Sequence, residues 1–240
     1  MIEIDQLIKE FGDLRAVDDL SLSVPAGEFF VVLGPNAAGK TTTIKIMAGL
    51  MKPTRGSVRI CGFDIGFDPL EARRRLAYVP DFPFLYDKLT PAEFFRFTGK
   101  LFGMKDSEME AEAERLAMRF HLGDFLAKSI ESLSHGTRQR VAIVSALMHS
   151  PEVVVLDEPM VGLDPQHARV LKDILREQAE AGVTVFVSTH QLSVAEEMAD
   201  RIGIMHQGRL VAVGSHDELQ AANRDNRLES IFLSLTNNGR

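Results

Sequence analysis

A glycine-rich segment at residues 34–42 contains the residue types that bind phosphate. Its first eight residues match the pattern G-x-x-x-x-G-K-[ST]. An apolar run that predicts a buried strand precedes it, and a predicted helix from Lys40 to about Leu50 follows, which disfavours an ordinary glycine-rich turn. Backbone N–H groups of such a loop bind phosphate oxygens, the lysine reaches the β- and γ-phosphates, and the hydroxyl binds Mg²⁺. The predicted nucleotide site comprises Gly34, Pro35, Asn36, Ala37, Ala38, Gly39, Lys40, Thr41 and Thr42.

Two adjacent acids end a second apolar run at residues 153–158. The run predicts another buried strand, so both carboxylates would lie where that strand ends. Asp157 is placed to hold Mg²⁺, usually through water, and Glu158 to polarise an attacking water. The alternative is that the two acids only cap the next segment. The phosphate-binding loop elsewhere in the chain favours the catalytic interpretation.

The elements that must position these residues form an α/β pattern. Alternating apolar residues near the N-terminus predict antiparallel strands, and residues 58–60 predict a short edge strand. Residues 153–156, 166–181 and 184–188 predict a strand–helix–strand unit and hence a parallel sheet. Residues 82–150 have helical character. We therefore predict one domain, with its nucleotide-binding core at 1–81 and 151–214, a helical subdomain at 82–150 and a helical tail at 215–240.

Composition restricts the possible functions. The 240 residues contain 27 Lys and Arg against 34 Asp and Glu, a net charge of −7, which argues against nucleic acid as a partner. Cys61 is the single cysteine, so no cystine framework exists and a reducing compartment is expected. No apolar stretch approaches the ~20 residues that span a bilayer. The N-terminus has no basic segment typical of a signal peptide. We expect a soluble, cytoplasmic protein.

Together with the motifs given below, the segments at 34–42 and 153–158 make the chain resemble the ATP-binding subunits of ATP-binding cassette (ABC) transporters over nearly its whole length. The resemblance implies a P-loop NTPase fold: a RecA-like parallel-sheet core, an N-terminal antiparallel β subdomain and an inserted α-helical subdomain. Its ordered motifs are the Walker A loop at 34–42, the signature motif Leu-Ser-His-Gly-Thr-Arg-Gln-Arg at 133–140, the Walker B strand at 153–158, the D-loop at 161–165 and the switch histidine at 188–190.

The resemblance also implies roles and ligands, namely ATP and Mg²⁺. Lys40, Glu158 and His190 would act in hydrolysis, and Phe11 would stack on adenine. Ser134 and Gly136 precede a predicted helix, whose N-terminus favours an anion. In the family, that anion belongs to the nucleotide of a second cassette, so two cassettes, identical or different, would sandwich two ATP molecules. Taken singly, each residue has an ordinary alternative: a strand-end histidine, a core phenylalanine or a helix N-cap.

The chain departs from the family pattern at four positions. Ala37 replaces a common glycine, which costs about 1 kcal/mol if the backbone there needs a positive φ. His135 and Thr137 stand where the commonest signature has Gly and Gln. Asp81 replaces a glutamine that touches Mg²⁺ and water. We expect Asp81 to reach Mg²⁺ through water, alongside Thr41 and Asp157.

An aromatic segment runs from Phe82 to Phe102 and contains six of the fifteen phenylalanines. It covers more helix surface than one core stripe needs, although part of it must form a small helical core. The resemblance implies that this region binds an integral membrane permease. The cassette would then lie on the inner face of the cell membrane. The C-terminal residues 228–236 resemble the tail helix of exporter-type, drug-resistance-like cassettes.

The leading functional hypothesis is an ATPase subunit that powers transport, most simply export, through a separate permease. The first alternative is a soluble ABC ATPase of the translation, DNA-repair or Fe–S assembly type. A single cassette, no heptad array and a negative net charge disfavour the translation and repair types. A small-molecule P-loop kinase would lack the signature motif and the D-loop.

Overall fold

The computed structural model describes residues 1–223 and 227–237, and two sheets organise them. The strands are β1 (Ile2–Phe11), β2 (Leu14–Val24), β3 (Phe29–Leu33), β4 (Arg55–Ile60), β5 (Phe63–Asp64), β6 (Leu76–Val79), β7 (Val153–Asp157), β8 (Thr184–Thr189), β9 (Arg201–His206) and β10 (Arg209–Gly214). The helices are α1 (Lys40–Met47), α2 (Pro69–Arg74), α3 (Pro91–Leu101), α4 (Asp106–Arg119), α5 (His135–Leu147), α6 (Pro165–Glu180), α7 (Leu192–Met198), α8 (His216–Asn223) and α9 (Leu228–Asn237).

The larger sheet has six strands in the order β10-β9-β3-β8-β7-β6. Strand β3 is parallel to both β8 and β9, and β7 is parallel to both β6 and β8, whereas β10 joins the edge antiparallel. Every residue of β3, β7 and β8 is buried, as expected for central parallel strands covered on both faces. Because β3, β7 and β8 are parallel, their carboxyl ends lie at the same edge of the sheet. The segments that follow these strands therefore begin at that edge.

The smaller sheet has four strands in the order β2-β1-β4-β5, all antiparallel. Its buried residues and those of α1 form one hydrophobic cluster with one face of the larger sheet, in which the rings of Phe30 and Phe186 stack at 5.4 Å. Strand β4 is not the edge strand that the sequence suggested, because the two-residue β5 pairs with its outer side. The predicted helix from Lys40 also ends at Met47, earlier than expected.

Helices α3, α4 and α5 pack on the opposite side of the larger sheet, within the second hydrophobic cluster. Helix α3 begins with a capping box in which Thr90 and Glu93 bond each other's backbone N–H groups. Ser134 is the N-cap of α5. In residues 1–223 and 227–237, no helix combines the length and the apolarity needed to cross a membrane.

Candidate functional site: a phosphate-binding loop facing two acids and a histidine

The loop between β3 and α1 is shaped by close backbone contacts. Gly39 has a φ of 105°, a conformation that favours glycine, and a Cβ there would clash with the carbonyl oxygen of Ala16. The N–H of Ala38 donates to the carbonyl oxygen of Pro35 at 3.2 Å, and the N–H of Gly208 donates to the carbonyl oxygen of Ala38 at 2.9 Å. The β9–β10 turn therefore supports the loop from one side.

Ala37 adopts a φ of 63°, so the backbone at this position does need the left-handed region. The conformational cost expected for alanine there, about 1 kcal/mol, therefore applies to this loop.

Lys40 lies within the loop rather than in solvent. Its side chain is nearly buried, and Nζ donates to the carbonyl oxygens of Gly34 at 2.7 Å and Pro35 at 3.1 Å. Burial lowers the pKa of Lys40, while the carboxylates of Glu158 and Asp157 act in the opposite direction.

Asp157 ends β7 as a fully buried carboxylate with one unsatisfied oxygen. Oδ1 accepts a hydrogen bond from Ser188 Oγ, whereas Oδ2 has no hydrogen-bond partner. A buried carboxylate oxygen without a partner is costly, so it marks a place for a ligand. The described residues contain no cluster of three or more Asp, Glu, His or Cys side chains that could hold a metal. The free oxygen of Asp157, together with the Thr41 hydroxyl in the loop, instead fits Mg²⁺, which keeps several waters and binds substrate phosphates.

Glu158 follows with a φ of 48°, an unusual conformation for a non-glycine residue and one found often at active sites. Its two carboxylate oxygens have different partners: Oε1 lies 2.9 Å from His190 Nδ1, and Oε2 accepts from Thr189 Oγ1 at 3.1 Å. The ends of β7 and β8 thus hold the carboxylate in place. His190, predicted as the switch histidine, is thus in direct contact with Glu158.

A cavity of about 540 Å³ joins the loop to Glu158, and Gly34, Pro35, Asp157 and His190 are not among the residues that line it. The predicted site residues that line it are Phe11, Asn36, Ala37, Ala38, Gly39, Lys40, Thr41, Thr42, Asp81 and Glu158. Sequence reasoning did not place Leu14, Arg15, Ala16, Gln207 and Gly208, which also line it. No sequence signal placed the turn between β9 and β10 beside the loop.

Phe11 and Asp81 lie on different walls of this cavity. Phe11 ends β1 with its ring about half exposed, and Lys9 Nζ lies 4.9 Å from the ring centroid. An exposed ring at the mouth of a phosphate-binding cavity can stack on a planar base. Asp81 follows β6, and its Oδ1 accepts from the N–H of Phe82 at 2.8 Å.

Ser134 and Gly136 do not line this cavity, although the sequence placed them among the nucleotide-binding residues. Ser134 is exposed at the N-terminus of α5, where its Oγ accepts from the N–H of Thr137 at 3.3 Å. A Cβ on Gly136 would come within 2.6 Å of the Gly162 carbonyl oxygen, so this turn of α5 lies against the D-loop. The signature residues are therefore separate from the cavity that the phosphate-binding loop of their own chain lines.

Residues 17–161 match the protein-family model described as ABC transporter. The chain belongs to this family. It is 36% identical over 98% of its length to the probable multidrug ABC transporter ATP-binding protein YbhF of Escherichia coli, and it spans 41% of that protein. It is 37% identical over 92% of its length to the daunorubicin/doxorubicin resistance ATP-binding protein DrrA of Streptomyces peucetius, covering 67% of that protein.

Solved cassette structures confirm the predicted P-loop fold. An ATP-binding subunit of an ABC transporter superposes with a TM-score of 0.94 at 33% identity, covering 98% of this chain and 99% of that one. The dimeric cassette MJ0796, in a post-hydrolysis state bound to ADP and phosphate, gives 0.82 at 28% identity over 90% of this chain and 98% of its own. The antiparallel sheet, the parallel core and the helices of this ABC cassette are thus those of the family.

Proposed function

We propose that this cassette binds and hydrolyses ATP, pairs with a second copy of itself around two nucleotides, and powers export through a separate membrane permease. One observation carries the proposal: Lys40 and its loop share a single cavity with Glu158, whose carboxylate is fixed by His190. Phosphate binding and activation of water are the two functions that phosphoryl transfer to water requires. The names of YbhF and DrrA support transport of drug-like compounds.

The cavity residues divide the chemistry between binding and positioning. The loop N–H groups and Lys40 would bind the β- and γ-phosphates, and Phe11 would stack on adenine. Glu158 would accept the proton of the attacking water. His190 contacts Glu158 through Nδ1, which leaves Nε2 for a γ-phosphate oxygen, and the two contacts would hold water and phosphate in line.

Thr41, Asp157 and Asp81 are the proposed magnesium residues. Asp157 Oδ2 has no protein partner, and Thr41 and Asp81 line the cavity. When bound, Mg²⁺ would neutralise developing charge on the phosphates. The hydrogen bond from Ser188 would keep the Asp157 carboxylate in place. Asp81 would contribute an oxygen from the segment that leads from β6 into the helices.

The exposed N-terminus of α5 is evidence for the proposed pairing with a second cassette. Ser134 and Gly136 present a hydroxyl, N–H groups and a helix dipole to the outside of their own chain. The dimeric form of MJ0796 is a precedent for two cassettes together with nucleotide. Because this chain has both the phosphate-binding loop and the signature helix, two copies would form two complete sites.

The aromatic region from Phe82 to Phe102 is evidence for the proposed membrane partner. Phe94 and Phe95 are buried in the core, so they form the small helical core that was expected for part of this segment. The exposed members are Phe82, Phe84, Tyr86, Phe97, Leu101 and Phe102. Of these, Phe84 and Phe102 line a cavity of about 310 Å³ between the segment after β6, helix α3 and helix α5. We propose that a helix of the permease binds here, which would locate the cassette on the cytoplasmic face of the membrane.

Co-purification from detergent-solubilised membranes tests the proposal. The tagged chain should retain a polytopic membrane protein, and Phe84→Ser should lose it without losing ATP hydrolysis. Phe67→Ser is the matched control, because Phe67 and Phe84 are 88% and 91% exposed and only Phe84 lies in the aromatic region. An active ATPase that retains no membrane protein would instead indicate a soluble ABC ATPase.

A further inference from the structure

A continuous series of polar contacts runs beneath the N-terminus of α5. Asp164 Oδ2 lies 2.6 Å from His167 Nδ1, and His167 Nε2 lies 2.8 Å from the NH1 atom of Arg140. The NH2 atom of Arg140 donates to Thr137 Oγ1 at 3.0 Å, and Thr137 Oγ1 lies 2.9 Å from Ser134 Oγ. We call these five residues the polar relay. It connects the D-loop to the exposed serine of the signature motif.

The chemistry of the relay fixes the direction of its first hydrogen bonds. A guanidinium can only donate, so His167 Nε2 must accept from Arg140. The ring is then protonated at Nδ1 and donates to Asp164. Hydrogen bonds from the ring and the backbone N–H of His167 lower the pKa of Asp164, which keeps this carboxylate an acceptor.

The last contact of the relay joins two hydroxyl groups, and either one can donate. Thr137 Oγ1 accepts from Arg140, and in one of the two arrangements its own hydrogen donates to Ser134 Oγ. Ser134 Oγ also accepts from the N–H of Thr137 at 3.3 Å. In that arrangement Ser134 Oγ accepts from two donors and keeps its own hydrogen for a ligand outside the chain. An O–H donor is what an anionic phosphate oxygen requires.

We propose that the polar relay orients the Ser134 hydroxyl as a donor to the γ-phosphate of ATP held by the other cassette, with Thr137 and His167 as positioning residues. This inference rests on the proposed function, because it presumes that the signature motif meets a nucleotide across the dimer. Thr137 is buried at 4% exposure, and His167 is partly buried, with its side chain at 14%. The relay also assigns a role to Thr137, one of the departures from the commonest signature.

The test measures the ATP concentration that gives half-maximal dimer, by sedimentation velocity, in a Glu158→Gln background that slows hydrolysis. Thr137→Val removes the hydroxyl at constant shape and should raise this concentration about tenfold. Thr137→Ser restores the hydroxyl and should stay within about twofold of the parent. His167→Phe keeps a ring but removes both nitrogens, and it should behave like Thr137→Val. Binding of ATP to the monomer should not change, since neither residue lines the cavity.

A double variant separates positioning from a general structural effect. If Thr137 acts through Ser134, adding Thr137→Val to Ser134→Ala should cause no further weakening of the dimer. Additive losses, or equal dimerisation by the parent and by Thr137→Val, would overturn the relay while leaving the proposed function intact. A parent that binds ATP but stays monomeric would overturn the proposed pairing of two copies, and the relay with it.

Discussion

The phosphate-binding loop and the N-terminus of α5 both present helix N–H groups to an anion, but their surroundings differ. The loop follows a buried central strand and shares its cavity with Lys40, Asp81 and Glu158. The α5 terminus is exposed, and its donors are absent from that cavity. The loop region therefore combines Lys40 with Glu158 inside one chain. Under the proposed function, the α5 terminus instead adds contacts to a nucleotide held by a second cassette.

This difference predicts that mutations will separate chemistry from assembly. Residues at the ends of β7 and β8 should control turnover, because buried strands hold them rigidly against the phosphates. Residues at the α5 terminus should control the ATP-dependent contact between cassettes. Their loss should leave nucleotide binding by one chain unchanged.

The largest effect is expected at Glu158. Glu158→Gln keeps the shape and an oxygen for His190, but it removes the proton acceptor, so the rate of ATP hydrolysis should fall roughly 10²–10⁴-fold. Dimerisation on ATP should persist. Phosphate release measures the rate, and gel filtration with ATP measures the dimer.

Glu152→Gln is the matched control for this change. Glu152 lies just before β7, where its carboxylate pairs with Arg75 at 3.2 Å, far along the strand from the cavity. Its turnover should equal that of the unmodified chain. Wild-type turnover in Glu158→Gln would remove Glu158 from the role of base.

A smaller effect of a different kind is expected at Ser134. Ser134→Ala removes one hydrogen bond to a charged group, so half-maximal dimerisation in the Glu158→Gln background should need roughly 10- to 100-fold more ATP. ATP binding to the monomer should stay the same, as measured with a fluorescent nucleotide. Ser132→Ala, which alters a hydroxyl bonded to the Ser129 carbonyl oxygen, is the control. Equal weakening of monomer binding would mean that the two regions are not separate.

Asp81 tests the boundary between the two regions, because it lies on the cavity wall and leads into the helices. Asp81→Ala should lower ATP hydrolysis about tenfold and raise the Mg²⁺ concentration needed for half-maximal activity. Asp13→Ala, at the exposed turn between β1 and β2, should change neither. Unchanged turnover and unchanged Mg²⁺ dependence for Asp81→Ala would exclude the proposed magnesium role.

The cavity was more predictable from sequence than the relay, for a physical reason. Gly39, Lys40 and Asp157 follow apolar runs at fixed spacing, and parallel strands bring their carboxyl ends to one edge. The relay joins Arg140 on α5 to His167 on α6, and no local pattern specifies how two helices meet. The sequence therefore predicted Ser134 as a phosphate ligand but did not reveal what lies behind it.

The walls of the cavity also include residues that no local sequence pattern could have placed there. Arg15 and Gln207 line it only because the β1–β2 region and the β9–β10 turn pack against the loop, a tertiary contact without a sequence signature. The boundaries between the core, the helical subdomain and the tail stay predictions, and the end of the tail beyond residue 237 lies outside the described residues.

The smallest effect is expected at Ala37, within the region that local patterns describe best. Its φ of 63° is strained for alanine and accessible to glycine, but glycine also has more conformational freedom to lose on folding. Ala37→Gly should therefore change the free energy of unfolding by less than about 1 kcal/mol, in the stabilising direction, as measured by urea denaturation without nucleotide. Ala48→Gly, at the C-cap of α1 with a φ of −76°, relieves no strain and should be neutral or destabilising. A clear loss of stability in Ala37→Gly would mean that contacts of the alanine methyl group outweigh the backbone strain.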